Sequence, residues 1–341
     1  MVSMRQLARL AGVSPGLVSR VLNHDPTLAV APATKQRIQT LAAQYHCVPG
    51  KRGPGKKWIN SLCVITAVAE KDEVYDDYFK VIMTGITTAA RENGLSVKTI
   101  YRLPEGPEMP DIEKYAGVIM IGSIAQEAVA TIAARNIHVV LIDNQVVTAD
   151  YPAVGVDLAA MTRDALMVFT ARNVTPVGFI GNTVRGMTLA GKLGVEIAGG
   201  RLAEYRRFCQ QTQQPVYNIL GAWDPAFGYR AARQLLTASP EIKALLIASD
   251  PLALGALRAV ADLHIRVPAD LEILSFDDLD YARYLVPRLS TAKLPTLELG
   301  RRAVSLLYQQ LTTAQVIPEQ ITLRGELRMR ETTKAVQKKM D

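Results

Sequence analysis

From Ser61 onward the chain repeats one pattern, a short apolar run followed by an amphipathic stretch of helical period. Leu62 to Val68 leads to Tyr78 to Asn93. Leu95 to Tyr101 and Gly117 to Ile121 lead to Gln126 to Arg135, and Ile137 to Ile142 follows. A second series runs through Met161 to Asn173, Val177 to Ile180, Arg201 to Gln213, Val216 to Ile219, Phe227 to Thr237, Ala244 to Ile247, Pro251 to Leu263 and Leu271 to Phe276. Strands that alternate with helices lie parallel and carry helices on both faces. The expected fold of this part is α/β, with one doubly wound parallel sheet for each series and hence two lobes. Ligands of such sheets bind outside the carboxyl ends of the strands, so a cleft between the lobes is the expected site.

Several side chains stand just past those strand ends. Asp143 follows Val139 to Ile142, Ser249 and Asp250 follow Leu245 to Ala248, and Asp277 and Asp278 follow Ile273 to Phe276. Carboxylates, together with an aromatic ring such as Trp223, suit a sugar: hydroxyls take paired hydrogen bonds and the ring covers the apolar face of a pyranose. Asp250 and Asp278 are equally placed to cap the helices that follow.

The first 60 residues are different. They hold nine basic side chains and one acidic one, Asp25, a net charge of +8, whereas the remainder of the chain sums to −1. A polyanion-binding head on a near-neutral body has this asymmetry. Met4 to Ala11 places Leu7, Leu10 and Ala11 at helical spacing. Gly12-Val13-Ser14 then supplies a turn glycine and an N-cap, and Pro15 to Leu22 resumes with Val18, Val21 and Leu22 on one face. A third helix is expected over Pro32 to Tyr45, with Ile38, Leu41, Ala42 and Tyr45 as its stripe and Ala31 as a poor cap. The outcome is a small all-α head. Two short helices around a glycine turn suit DNA reading, and an ordinary helical hairpin gives the same pattern.

The string Gln6-Leu7-Ala8-Arg9-Leu10-Ala11-Gly12-Val13-Ser14-Pro15-Gly16-Leu17-Val18-Ser19-Arg20-Val21-Leu22-Asn23 resembles the head of the lactose-repressor (LacI/GalR) family, whose signature reads DVAxxAGVSxxTVSRVLN. The resemblance extends over essentially the whole chain to about Arg330. It implies a helix-turn-helix DNA-binding domain over 1–48, a linker over 49–60, a two-lobed periplasmic-binding-protein-like core over 61–330 and a short tail over 331–341. It also implies three chain crossings between the lobes, whose relative angle changes on ligand binding. The second helix would lie in the major groove, with Pro15, Gly16 and Arg20 toward the bases, Ser14, Ser19 and Asn23 on phosphate or sugar, and Leu17 also among the DNA-binding residues. A guanidinium can bond guanine O6 and N7 together, so Arg20 is the strongest candidate for base reading, and a plain phosphate contact is its alternative.

The linker departs from the family, which places a hinge helix there. Pro49-Gly50-Lys51-Arg52-Gly53-Pro54-Gly55-Lys56-Lys57-Trp58 opposes a helix with its glycines and prolines and lacks the wedging leucine. Lys51, Arg52, Lys56 and Lys57 would instead track phosphates as a basic arm, or the stretch serves as a solvated tether. Trp58 would insert between base steps or pack on the core's first strand.

For the effector, the resemblance assigns Asp143, Trp223, Ser249 and Asp277, and places Phe79 of Asp77-Tyr78-Phe79 beside the sugar. The family's sugar-clamping arginine matches Arg201 in one alignment, while another puts Ala198 in its place. Leu294 stands where the family's lactose-binding member has a glutamine, which hints at a differently shaped pocket. Thr332 to Asp341 is too short for a coiled-coil zipper, so a homodimer on a pseudo-palindromic double-stranded operator is expected.

The first residues do not form a signal peptide and no stretch reaches the length of a membrane span, which places the chain in the cytoplasm and away from membranes. Cys47, Cys63 and Cys209 are scattered, as are the four histidines, so no zinc site, disulfide framework or cofactor is expected. An enzyme would need a nucleophile elbow, phosphate loop or metal cluster, and a secreted sugar-binding protein would need no basic head. Two readings stay open: a repressor released by a galactoside-like sugar, and a regulator without a sugar inducer that acts constitutively or through a protein corepressor.

Overall fold

The computed structural model describes residues 4–22, 28, 30–44, 58–74, 76–106, 108–147, 149–313 and 316–334. The chain forms two compact units, Met1–Lys56 and Lys57–Asp341.

In the first unit, α1 (Met4–Ala11) and α2 (Pro15–Leu22) are joined by a turn in which Gly12 takes a φ of +64°. That left-handed conformation is open to glycine at no steric cost. It lets the Gly12 and Val13 amides donate back to Arg9 and Ala8 carbonyls at 3.2 and 3.0 Å. Ser14 caps α2, its Oγ accepting from the Leu17 amide at 3.2 Å. α3 (Pro32–Gln44) closes the unit over a core of Leu7, Ala8, Ala11, Val18, Val21 and Ile38. Leu10, expected on the buried face of α1, is 53% exposed, because the neighbouring register position Ala8 faces α2 and α3 instead. Ala31 begins α3 with its carbonyl alone, accepting from Thr34 and Lys35 amides. Tyr45 lies outside the described residues.

The second unit has two lobes. Lobe 1 is a six-stranded parallel sheet in the order β13-β5-β4-β3-β1-β2, built from β1 (Trp58–Thr66), β2 (Ser96–Arg102), β3 (Tyr115–Ile121), β4 (Val139–Ile142), β5 (Ala153–Val156) and β13 (Gln320–Leu323). Helices α4 (Tyr78–Glu92) and α5 (Gln126–Arg135) lie between its strands in sequence. β1 begins four residues earlier than the apolar run suggested, at Trp58, which pairs with Tyr115. The end of the expected linker is therefore sheet.

Lobe 2 is a six-stranded sheet in the order β14-β12-β11-β10-β6-β9, parallel except for its edge strand. Its strands are β6 (Val177–Gly181), β9 (Tyr217–Leu220), β10 (Ala244–Ile247), β11 (Glu272–Asp277), β12 (Ser290–Lys293) and β14 (Glu326–Arg328). Its helices are α6 (Leu158–Thr170), α7 (Gly200–Thr212), α8 (Pro225–Ala238) and α9 (Asp250–Asp262), and α10 (Thr296–Thr313) returns to pack on α4, β3 and β4 of lobe 1. The chain thus crosses between the lobes three times: from β5 to α6, from β12 to α10, and from β13 to β14. The crossings are bonded together, since the Asp157 amide donates to the Leu323 carbonyl at 3.0 Å and Arg324 pairs with Asp164 at 2.5 Å.

An antiparallel hairpin, β7 (Val184–Met187) and β8 (Leu193–Ile197), stands outside both sheets. The last described residues pack on lobe 2: the Thr332 hydroxyl accepts from the Ser290 amide at 2.8 Å and donates to the Ile273 carbonyl at 2.7 Å.

Candidate functional site

The loops at the carboxyl ends of β1, β3, β4, β6, β9, β10 and β11 converge on one cleft of about 1280 Å³ between the lobes. This is where parallel α/β sheets place their ligands.

Lobe 1 contributes two acids. Asp143 ends β4 with a φ of +52°, a conformation held by its amide donating to the Val154 carbonyl at 2.9 Å. Burial pushes its carboxyl up to about 6, against the opposing pull of Arg201 and of the Tyr78 hydroxyl, which donates to Oδ2 at 3.2 Å. Asp76 is also buried. It accepts from the Tyr78 amide at 2.9 Å and from the Trp223 indole, and burial raises its carboxyl above the ordinary value. Phe79 packs edge to face on Tyr78, with ring centroids 5.1 Å apart, and lines the cleft beside them.

Lobe 2 contributes Arg201, Trp223 and Asp277. Arg201 is the second residue of α7, and its guanidinium lies 5.3 Å from the ring centroids of both Trp223 and Phe276. Cation and aromatic faces attract through the ring quadrupole, so the guanidinium is held in place from two sides. Trp223 follows β9, immediately before Asp224, which caps α8 by accepting from the Phe227 amide at 2.7 Å. Asp277 ends β11 with a φ of +107°, sparsely populated for a residue with a Cβ. Strain of this kind is concentrated at ligand sites. Burial, and next the negative charges of Asp76 and Asp250, push its carboxyl well above the usual range.

Five of the expected effector residues therefore meet in the cleft: Phe79, Asp143, Arg201, Trp223 and Asp277. The sixth, Ser249, does not line it. It occupies the N-cap position of α9 without a side-chain capping bond, fully buried with an unpartnered hydroxyl, and Ala248 lines the cleft instead. Ala198 is exposed outside the cleft, so of the two aligned positions Arg201 is the one that enters. Leu294 is 3% exposed in the core and shapes no part of the pocket wall. Asp250 and Asp278 neither cap helices by their side chains nor touch the cleft. Asp250 gathers the Ser275 and Thr291 hydroxyls and the Leu279 amide, and Asp278 pairs with Arg330 at 2.5 Å.

Asp76 was not among the expected residues. Its neighbour Asp77 is exposed and pairs with Lys80 at 2.8 Å. Nothing in two adjacent acids tells which one turns inward.

In the head, Ser14, Pro15, Gly16 and Arg20 are exposed along α2 and Leu17 is half-buried against its core. The Ser19 side chain, Asn23, Lys51 and Arg52 lie outside the described residues, as does the stretch where a hinge helix or basic arm would stand.

A helix-turn-helix unit joined to a two-lobed α/β core with a polar, aromatic-lined cleft is the build of a DNA-binding regulator. Comparisons with known proteins are specific. Residues 3–49 match the model for bacterial regulatory proteins of the lacI family, and residues 168–333 match the periplasmic binding protein-like domain. The HTH-type transcriptional regulator GalR of Streptococcus thermophilus is 30% identical over 338 residues, covering 98% of this chain and 100% of its own. Among solved structures, a transcriptional regulator CelR–cellobiose complex has a TM-score of 0.67 at 22% identity, covering 97% of this chain and 100% of that one. The lac repressor dimer bound to operator and the anti-inducer ONPF has a TM-score of 0.66 at 21% identity, covering 98% and 99%. The chain belongs to the lacI family of bacterial regulatory proteins, and is a DNA-binding transcriptional regulator rather than an enzyme.

Proposed function

We propose that the protein is a repressor released from its operator by a sugar bound between the two core lobes. The observation that carries this is the meeting of Asp143 and Asp76 from lobe 1 with Arg201, Trp223 and Asp277 from lobe 2 in one cleft. Carboxylates and a guanidinium take the paired hydroxyls of a pyranose, and the indole takes its apolar face. Because the donors come from both lobes, a bound sugar selects one lobe angle. If that angle spaces the two heads of a homodimer badly for a pseudo-palindromic operator, sugar and DNA weaken one another by the same factor, with a coupling of about 1 to 3 kcal/mol.

DNA reading belongs to α2, with Pro15, Gly16, Leu17 and Arg20 toward the bases and Ser14, Ser19 and Asn23 on the backbone. Lys51 and Arg52 add salt-dependent phosphate contacts. The solved relatives carry cellobiose in one case and an operator with the anti-inducer ONPF in another, which supports a sugar-class effector and a dimeric DNA complex here. No helix among the described residues is long and apolar enough to cross a membrane, in keeping with action on cytoplasmic DNA.

The deciding experiment is operator binding by the full-length protein, using DNA upstream of its own and neighbouring genes, at two salt concentrations with and without a panel of galactosides and glucosides. Saturable binding to one palindromic site that a sugar reverses is the expected result. Specific binding that survives every sugar would replace this reading with that of a regulator that has no sugar inducer.

A further inference from the structure

The β7–β8 hairpin grows out of β6 in lobe 2 but buries its tip in lobe 1. Met187 is 7% exposed within the cluster that contains Cys63, Ile65 and Ile124 of lobe 1, and Leu189 packs against the same cluster. Two backbone bonds pin it: the Met187 amide donates to the Ser123 carbonyl at 2.8 Å, and the Ala125 amide donates to the Met187 carbonyl at 2.9 Å. The approach needs Gly186, where a Cβ would stand 2.8 Å from Ala125 Cα. At the return end, the Gly200 amide donates to Gln145 Oε1 of lobe 1 at 3.1 Å, one residue before Arg201. The hairpin is thus a wall that touches both lobes.

That wall lines the cleft with Val184, Arg185, Met187, Leu193 and Glu196. The cleft lining consequently has two parts of different character. At one, Asp76 and Asp277 are buried and Asp143 is half-buried. At the other, Leu193 is 58% exposed, and the Arg185–Glu196 ion pair is half-exposed. The total volume of about 1280 Å³ exceeds the roughly 300 to 1,000 Å³ of ordinary small-molecule sites. A single pyranose satisfied by the buried carboxylates and Arg201 would leave the hairpin end open.

We infer that the β7–β8 hairpin builds a second, outer subsite that takes a further sugar ring, so that the effector is a disaccharide or longer glycoside rather than a monosaccharide. Apolar side chains beside one ion pair, all on one wall, suit a ring that is half in solvent. A wall ordered by its own packing binds with little ordering cost. This inference rests on the sugar reading of the cleft.

The test is calorimetric titration of the full-length protein with galactose and glucose, and with lactose, melibiose and cellobiose, repeated on Leu193→Ala and Arg185→Ala. The expected result is a disaccharide that binds at least tenfold more tightly than either of its monosaccharides, an advantage the two hairpin variants reduce while monosaccharide affinity stays within twofold. Equal affinity for a monosaccharide and its disaccharides, or an equal loss for both in the hairpin variants, overturns the outer subsite and leaves the sugar site standing. Failure of every sugar, of either size, to bind the folded wild-type protein overturns the sugar reading itself and this inference with it.

Discussion

The Arg201 guanidinium lies 5.3 Å from the centroid of the Trp223 ring and an equal distance from that of Phe276. A cation held between two aromatic faces is oriented before any ligand arrives. The charge of Arg201 also pulls down the carboxyls of all three acids, Asp76, Asp143 and Asp277, against the effect of burial. Removing it leaves those acids unanswered and the sugar without its fork of donors. We expect Arg201→Ala to weaken effector binding by about 3 kcal/mol, roughly a hundredfold, and Arg201→Lys to restore only part of it, because the ammonium keeps the charge but not the planar fork. Ala198→Ser, at the other aligned position, should leave affinity unchanged, since Ala198 is exposed and outside the cleft. Calorimetry on the three variants checks this, and an affinity change at Ala198 rather than Arg201 would move the clamp.

Effector binding should carry a proton signature from Asp143. Burial raises its carboxyl to about 6 in the free protein. Sugar hydroxyls that donate to the ionised form pull that value down, so binding releases a proton and strengthens as pH rises through about 6. Titrations at pH 5.5 and 7.5, in buffers of different ionisation enthalpy, should show tighter binding at the higher pH with proton release near pH 6. Asp143→Asn should abolish the release. Proton uptake instead would mean that the carboxyl donates to the ligand in its neutral form.

The core has its own buried acid. Asp250 Oδ1 accepts from the Thr291 hydroxyl at 2.8 Å and from the Ser275 hydroxyl, while Oδ2 takes the Leu279 amide at 2.8 Å. It therefore joins α9 to β11, β12 and the turn after Asp277. Asp250→Ala strands three buried donors and should cost about 3 kcal/mol in chemical denaturation. Burial raises this carboxyl to about 7, so its stabilising contribution is full below the unfolded value near 4 and falls as pH rises through about 7. The penalty of Asp250→Asn should accordingly be larger at pH 5 than at pH 8. A penalty that grows with pH would reverse the assignment.

Much of this was legible in the sequence, for reasons that differ by element. The head could be read because Gly12 and Ser14 each have one local job, turn and cap, and both perform it. Strands β1, β3, β4, β6, β10 and β11 could be read because strands buried on both faces are continuous apolar runs, and the edge strands β2 and β9 were read as well. The short strands β5 and β12, the hairpin and the returning strands β13 and β14 were not. β7 and β8 carry Gly186 and Gly194, with Gly191 in the turn between them, and pair mainly with each other, and β13 and β14 alternate between exposed and half-buried side chains. The cleft residues that stand one step past a strand were found by that rule, and Ser249 shows its limit. One residue along the chain decides whether a side chain faces the cleft or the core beneath, and the backbone turn that chooses is set by neighbours distant in sequence. Arg201 required the hairpin, because the length of that excursion sets which residue of α7 arrives at the cleft.

Arg20 decides how the head reads DNA. It is exposed on α2, near its carboxyl end, on the side away from Val18 and Val21 of the core. A guanidinium that bonds guanine O6 and N7 contributes to one base position only, whereas a phosphate contact contributes to every sequence alike and to the salt dependence. Arg20→Ala should therefore cost about 1 to 3 kcal/mol on the specific operator and relax discrimination at one position in each half-site, with the salt slope nearly unchanged. Binding measured against single-base operator variants at several salt concentrations separates the two. A uniform loss across all sequences, with the slope reduced by about one, would make Arg20 a phosphate ligand and leave base reading to the shape and apolar contacts of Pro15, Gly16 and Leu17. Such a head would discriminate operators weakly. The protein would then depend on Lys51, Arg52 and the rest of its basic linker for affinity, and its operator binding would fall steeply between low and physiological salt.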